Sequence, residues 1–303
     1  MGMFALGAFG RYDVFHLYFG NTLLPHPYPD LPVLRALGTR IVFHFCGCDI
    51  RQREHTLSHY SLSACTDCVL QRCKQLKHPD LSACDVALVS TPDLLEFVPG
   101  ARVLPASVDL EKWTPKLSRR GPVSHSDPVR IIHAPTDRDI KGTKYLLAAV
   151  ERLKAAGYPV EISLPVGLSH RQVQILSEQA DIAADQLMLG AYSMFAIEMM
   201  ARGLPVICRI REDLRRFYPP DLPVISADPG SIYYVLESLI TQPESWADLG
   251  RRGLEYVRRE HEMHHVAARS LALYNFDADA HATSAQRGAV PVSPGVESQL
   301  RQN

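Results

Sequence analysis

Short apolar runs alternate with amphipathic helical stretches along most of the chain, and the alternation stops and restarts once. The strand-like runs Tyr12–Phe19, Arg40–Phe45, Asp85–Ser90 and Ala101–Leu104 come first, with helical stretches at Leu31–Leu37 and Thr91–Phe97. Residues 107–128 (SVDLEKWTPKLSRRGPVSHSDP) then turn polar and rich in Pro, Gly and Ser. Beyond them the spacing predicts strands at Val129–His133, Val160–Leu164, Gln186–Leu189 and Pro205–Cys208. It predicts helices at Thr143–Ala156, Ser169–Ala180, Phe195–Arg202, Gly230–Thr241 and Ser245–Leu273. Strands that alternate with helices form parallel sheets, and a continuous apolar run such as RIVFHF suits a strand covered on both faces. The polar break implies two such sheets. The expected fold class is therefore α/β, with two doubly wound, Rossmann-like domains facing each other and a ligand bound at the carboxyl ends of the strands. The expected boundaries are a first domain at 1–113 with a cysteine-rich insertion at 46–84, a linker at 114–128 and a second domain at 129–276. Residues 277–303 are low in hydrophobicity and expected to form a disordered tail.

Composition limits the function. Of 303 residues, 46% are hydrophobic and 21% charged, and the net charge is −1, which gives no bulk attraction to nucleic acid or an anionic membrane. No run approaches the roughly 20 apolar residues of a membrane helix. The first ten residues lack the basic start of a secretory signal, so a cytoplasmic location is expected, with reduced or metal-bound cysteines.

The richest stretch is ADIAADQLMLGAYSMFAIEMMARGLPVI, residues 180–207. It joins a strand end, a loop of small residues and a helix start, a junction whose open N–H groups and dipole suit an anion. Gly190, Ala191, Tyr192, Ser193, Met194 and Phe195 form that junction, and Glu198 lies about one turn inside the helix, where a carboxylate can accept from paired sugar hydroxyls. Upstream, TDRDIKGT sets Arg138, Lys141 and Gly142 just after a strand, a pattern suited to a diphosphate.

In Arg138, Lys141-Gly142-Thr143, Asp181-Ile182, Glu198 with Met200-Ala201, and Gly203-Leu204-Pro205-Val206, residues 128–275 resemble the nucleotide-sugar domain of the retaining glycosyltransferases of GT-B fold. The first half resembles the acceptor domain of that family in YDVFHLYFG, IVFHF with Gly47 and Asp49, and STPDLLEFVPG, although it opens late, so the first domain is expected to be incomplete. The resemblance implies transfer of a sugar from a UDP- or GDP-sugar to a sugar, polysaccharide or lipid-linked acceptor, with retention of configuration. Peripheral membrane contact through a lipid acceptor is compatible with it, and no nucleic-acid partner is implied. Arg138 and Lys141 would neutralise the leaving diphosphate, Glu198 would hold the ribose, and His44 would position the donor sugar. No catalytic divalent metal is implied. Glu198 fits the second glutamate of the family's E-x7-E pattern, and Gly190 stands at the first. A catalytically impaired nucleotide-sugar-binding or scaffold protein of the same fold is the alternative.

Two further patterns belong to metals. Cys48, Cys65, Cys68 and Cys73 lie within about 26 residues, a spacing suited to a structural four-sulfur zinc site. Cysteines packed as small apolar groups, or an iron–sulfur cluster, are the competing readings. His261-Glu262-Met263-His264-His265 spells H-E-x-x-H, which on one helix would make a zinc metallopeptidase, a remote alternative.

Overall fold

The computed structural model describes residues 7–69, 80–115 and 124–274, and these form two compact units. One unit holds the described residues within Met1–Thr56, Leu70–Ala106 and Val266–Glu297. The other holds those within Leu57–Val69 and Ser107–His265. The tail 277–303 lies outside the described residues, as do residues 116–123 of the linker.

In the first unit, β1 (Val14–Tyr18), β2 (Arg40–Phe45), β3 (Val86–Val89) and β4 (Arg102–Val103) build a parallel sheet in chain order, with α1 (Asp30–Ala36) between β1 and β2 in the chain. Its register sets Tyr18 opposite His44 and Phe45 opposite Val89. Strand β2 is apolar throughout because both of its faces are covered. Ile41, Phe43 and Phe45 join Leu31, Leu34, Val89 and Leu94 on one face. Val42 joins Leu88, Leu104, Val266 and Leu273 on the other. The helix expected at Thr91–Phe97 is a short 3-10 turn, Pro92–Leu94. It is followed by further turns rather than a continuous helix.

The second unit contains β5 (Val129–Ile132), α2 (Arg138–Lys141), α3 (Thr143–Ala155), β6 (Val160–Ser163), α4 (His170–Ser177), β7 (Ile182–Ala184), α5 (Met194–Ala201), β8 (Val206–Ile207), α6 (Ile232–Thr241) and α7 (Trp246–Glu260). Its sheet order is β6-β5-β7-β8, all parallel. The order reverses between β5 and β7, and in such sheets the crevice outside the carboxyl ends at the reversal is where ligands bind. The third strand of this sheet is Ile182–Ala184, not the expected Gln186–Leu189. Ala183 and Ala184 give little β signal, yet both are buried. The apolar Leu187 and Met188 are buried by packing in the loop that follows. Helix α5 is buried at every residue from Phe195 to Ala201, as expected of a helix apolar at every position but Glu198.

The long helix expected over Ser245–Leu273 is two helices. Helix α7 ends at Glu260, and α8 (Met263–Tyr274) starts after a break at His261 and Glu262. At the break, Val108 N donates to His261 O at 2.8 Å and Met263 N donates to Val108 O at 3.1 Å. Val108 therefore takes over hydrogen bonds that a continuous helix would make with itself.

Candidate functional site

Two residues directly follow the strands at the reversal, His133 after β5 and Asp185 after β7. His133 is buried, with Nδ1 2.8 Å from Ala184 O and Nε2 2.8 Å from Thr143 Oγ1. A carbonyl only accepts, so Nδ1 carries the proton and Nε2 accepts from the threonine. Burial pushes this imidazole below its ordinary pKa and keeps it neutral. It thereby ties two strand ends to the start of α3.

Asp185 is the centre of the cluster. Lys141 Nζ donates to its Oδ1 at 2.8 Å and to Ser193 Oγ at 2.8 Å. Ser193 donates its own N–H to Oδ2 at 2.8 Å and its hydroxyl to Oδ1 at 2.7 Å. The Asp185 side chain is 1% exposed and that of Lys141 11%. Ser193 is thus spent on Asp185 and makes no side-chain cap on α5. One turn along α5, Glu198 holds Oε1 2.6 Å from His170 Nε2. Burial, with a smaller contribution from Asp185, pushes the Glu198 carboxyl up in pKa, and His170 opposes that rise. Arg138 heads α2 and is exposed, and its guanidinium has no hydrogen bond or ion pair to any described residue.

The structure therefore brings Lys141, Ser193 and Glu198 together as expected from the sequence, and adds Asp185, His133 and His170. Asp185 gave no signal, because the strand was expected after it, at Gln186–Leu189, and lies before it, at Ile182–Ala184. His170 had one, since Ser169 and Gln172 form a capping box that places it at the first position of α4. Gly142, expected to let a ligand approach, is the joint between α2 and α3.

The loop before α5 differs from expectation in three residues. Ala191 and Tyr192 are buried. The Tyr192 hydroxyl lies 3.1 Å from Tyr256 OH and 2.9 Å from His261 Nε2, so its side chain faces the core and offers nothing to a ligand. Gly190 has φ +93°, and a Cβ there would sit 2.6 Å from Arg211 Cγ. A side chain at this position would be strained and would have to displace Arg211. Phe195 is buried, while Met194 is exposed.

His44 lies in the other unit and is 3% exposed. Its Nε2 is 3.1 Å from Ser90 Oγ and its Nδ1 3.1 Å from His16 Nε2. The Ser90 hydroxyl reaches Cys46 Sγ at 3.2 Å, and Tyr274 OH bonds His16 Nδ1. One set of protons satisfies the whole chain, each group donating to the next from Tyr274 through His16, His44 and Ser90 to Cys46. Burial holds both imidazoles near a pKa of about 4, so both are neutral. Neither His44 nitrogen is left for a sugar hydroxyl, which corrects the expectation that it contacts the donor.

Among the described residues neither metal pattern gathers three ligands. No group of three or more His, Cys, Asp or Glu that could hold a metal occurs among the described residues. Cys73 lies outside them. Cys48 Sγ accepts from Arg51 Nη1 at 3.6 Å, beside a cation that disfavours a metal ion. Cys65 is buried and Cys68 partly so. In the H-E-x-x-H stretch, His261 caps the end of α7 and is buried on Tyr192, whereas His265 Nδ1 is exposed and 3.1 Å from Arg258 O. The helix break removes the shared face that the zinc pair needs.

Residues 190–272 match a family described as glycosyl transferase-like. No curated protein matches the chain. Among solved structures, it is similar to sucrose-phosphate synthase from Thermosynechococcus elongatus, 14% identical, covering 90% of this chain and 75% of that one, with a TM-score of 0.60. It is similar to Anabaena HepE in complex with UDP and glucose, 12% identical over 90% and 81% of the two chains, TM-score 0.56. A glycosyltransferase from Rickettsia africae is 11% identical over 90% and 79%, TM-score 0.55.

Proposed function

We propose that this chain, which has the GT-B fold of glycosyltransferases and a glycosyl transferase-like segment at 190–272, transfers a sugar from a nucleotide diphosphate to an acceptor. The observation that carries the reading is the cluster of Lys141, Asp185, Ser193 and Glu198 at the sheet reversal, beside the amino end of α5. Uridine diphosphate is the nucleotide to test first, because HepE was solved with UDP and glucose.

Each residue has a distinct task in this proposal. Asp185 and Ser193 accept two of the three Lys141 hydrogens and aim the third outward. Since Asp185 balances the charge of Lys141, the guanidinium of Arg138, which has no ion pair among the described residues, supplies the net positive charge for the leaving diphosphate. Negative charge grows on that group as the glycosidic bond breaks, so a cation fixed beforehand lowers the barrier. Glu198 keeps one oxygen on His170 and offers the other to a ribose hydroxyl. Retention at the anomeric carbon rests on the resemblance of Arg138, Lys141 and Glu198 to the retaining family.

Calorimetry with UDP, followed by incubation with UDP-glucose, tests the proposal. Arg138→Ala is expected to weaken UDP binding by about 1.5–3 kcal/mol, the loss of a charged hydrogen bond. Unchanged affinity would remove Arg138 from the site. Release of UDP with an α-linked product, read by proton NMR, supports retention. Binding without release leaves the non-catalytic alternative, which the absence of any side chain at Gly190 favours.

A further inference from the structure

We propose that His170, held in place by Trp113, is the positioning residue that turns the Glu198 carboxylate toward the ribose of a bound nucleotide, and so sets the preference of the site for ribose over deoxyribose. This role rests on the reading of Glu198 as the ribose-holding residue. Its basis is a closed set of contacts, from Glu198 to His170 to Trp113 to Arg202, that starts and ends at α5.

A histidine at a surface turns between rotamers, and the His170 side chain is 66% exposed. Three constraints remove that freedom. The capping box of Ser169 and Gln172 fixes its backbone at the first position of α4. The Trp113 ring meets the imidazole edge to face, with centroids 5.9 Å apart and planes at 78°. His170 Nε2 then lies 2.6 Å from Glu198 Oε1. A carboxylate only accepts, so Nε2 carries the proton. With Oε1 occupied, Glu198 Oε2 has no hydrogen bond to a described residue and is the oxygen left for a hydroxyl. Burial pushes the Glu198 carboxyl up in pKa, and the hydrogen bond from His170 counters it, which favours the ionised form that accepts from hydroxyls.

Trp113 is itself locked, at 3% exposure. It ends the 3-10 turn Leu110–Lys112, whose start is capped by the Asp109 side chain through Glu111 N. Arg202 Cζ lies over its ring, 5.2 Å from the centroid. That guanidinium donates from Nη1 to Thr114 O at 2.9 Å and from Nη2 to Gln174 O at 3.2 Å, which joins the tryptophan's neighbour to α4. Gln174 Nε2 donates in turn to Lys112 O. Arg202 directly follows α5, and its N–H donates to Glu198 O at 2.9 Å. The carboxylate and the cation that fixes the tryptophan are therefore one helical turn apart. A shift of the Trp113 ring would pass through His170 to the carboxylate oxygen offered to the ribose.

Calorimetry of the full chain with UDP, 2′-deoxy-UDP and UMP tests the role, because the second lacks only a ribose hydroxyl and the third only a phosphate. The unaltered chain is expected to bind UDP about tenfold more tightly than 2′-deoxy-UDP, the worth of one charge-assisted hydrogen bond. His170→Ala, at an exposed position, should bring that ratio to within about twofold. It should leave the ratio of UDP to UMP unchanged, since Arg138 and Lys141 are untouched. His170→Gln, whose amide can donate to Glu198, should restore part of the ribose preference. Trp113→Leu should act as His170→Ala does, and His170→Ala decides alone if that buried substitution does not fold. Full ribose preference in His170→Ala overturns the role. An equal loss in both ratios overturns it as well, since it marks a general structural effect. UDP binding without ribose preference in the unaltered chain removes this role and leaves the diphosphate clamp. No UDP binding by the unaltered chain removes the nucleotide reading and this role together.

Discussion

Lys141 and Asp185 hold opposite charges in a nearly dry setting, and neither is tolerable without the other. Asp185→Ala strands the ammonium, which is expected to lower stability by about 3–5 kcal/mol. Lys141→Met/Asp185→Leu should recover much of that loss, because an apolar pair of similar volume needs no compensation. Urea unfolding of both variants measures this, and equal losses would show that the pair is not coupled. Gly190 poses the opposite question, whether a missing residue can be restored. Gly190→Glu recreates the E-x7-E pattern but places a Cβ 2.6 Å from Arg211 Cγ at φ +93°. The backbone conformation alone costs an L-residue about 1–2 kcal/mol. The variant is expected to be less stable and no more active, as thermal melting and UDP release would show. Lys141 and Glu198 were legible from the sequence because their positions relative to a strand end and a helix start are local facts. Asp185 as the partner of Lys141 was not, since 44 residues separate them and only the adjacency of β5 and β7 brings them together.

Helix α7 is pressed onto the end of α5 at Gly250. A Cβ there would lie 2.0 Å from Gly203 O, and one at Gly253 would lie 3.3 Å from Met200 Cβ. Backbone atoms cannot step aside as a flexible side chain can, so the helix would have to move. Gly250→Ala should destabilise the chain by about 3 kcal/mol, at the upper end for overpacking, even though alanine is the better helix former. Gly253→Ala should be much milder, because the neighbouring methionine can shift. A guanidinium chloride series on both variants checks the ranking. Most elements were legible from hydrophobic periodicity, since α3 and β2 carry strong patterns of 3.6 and of continuous apolarity. The misread elements share a cause, which is that tertiary contact overrode a local signal. Leu187 and Met188 are apolar because they are buried in a loop, and α7 stops because Val108 supplies the hydrogen bonds at the break.

The polar chain from Tyr274 through His16 and His44 to Ser90 ties the first described strand to the last described helix. Both imidazoles sit near a pKa of about 4 in the folded chain, against 6.5 for an ordinary histidine. Above about pH 6.5 neither state is protonated at these rings, so they leave stability unchanged. Between 6.5 and 4 the unfolded chain binds protons that the folded chain refuses, and stability falls. Below about 4 that loss is complete. Urea midpoints measured between pH 7 and 4 should therefore decline. His16→Gln/His44→Gln should start lower at pH 7 and lose much of that slope, and an unaltered slope would exclude the two rings as its source. By itself the sequence determined two parallel α/β units, because strand and helix periodicities are written in neighbouring residues. Tertiary structure alone decided that Lys141 is neutralised by Asp185, that a side chain at Gly190 would have to displace Arg211, and that His44 bonds inward. Each of these depends on which distant backbone lies alongside, and residues tens to hundreds of positions apart carry no periodic mark of their meeting.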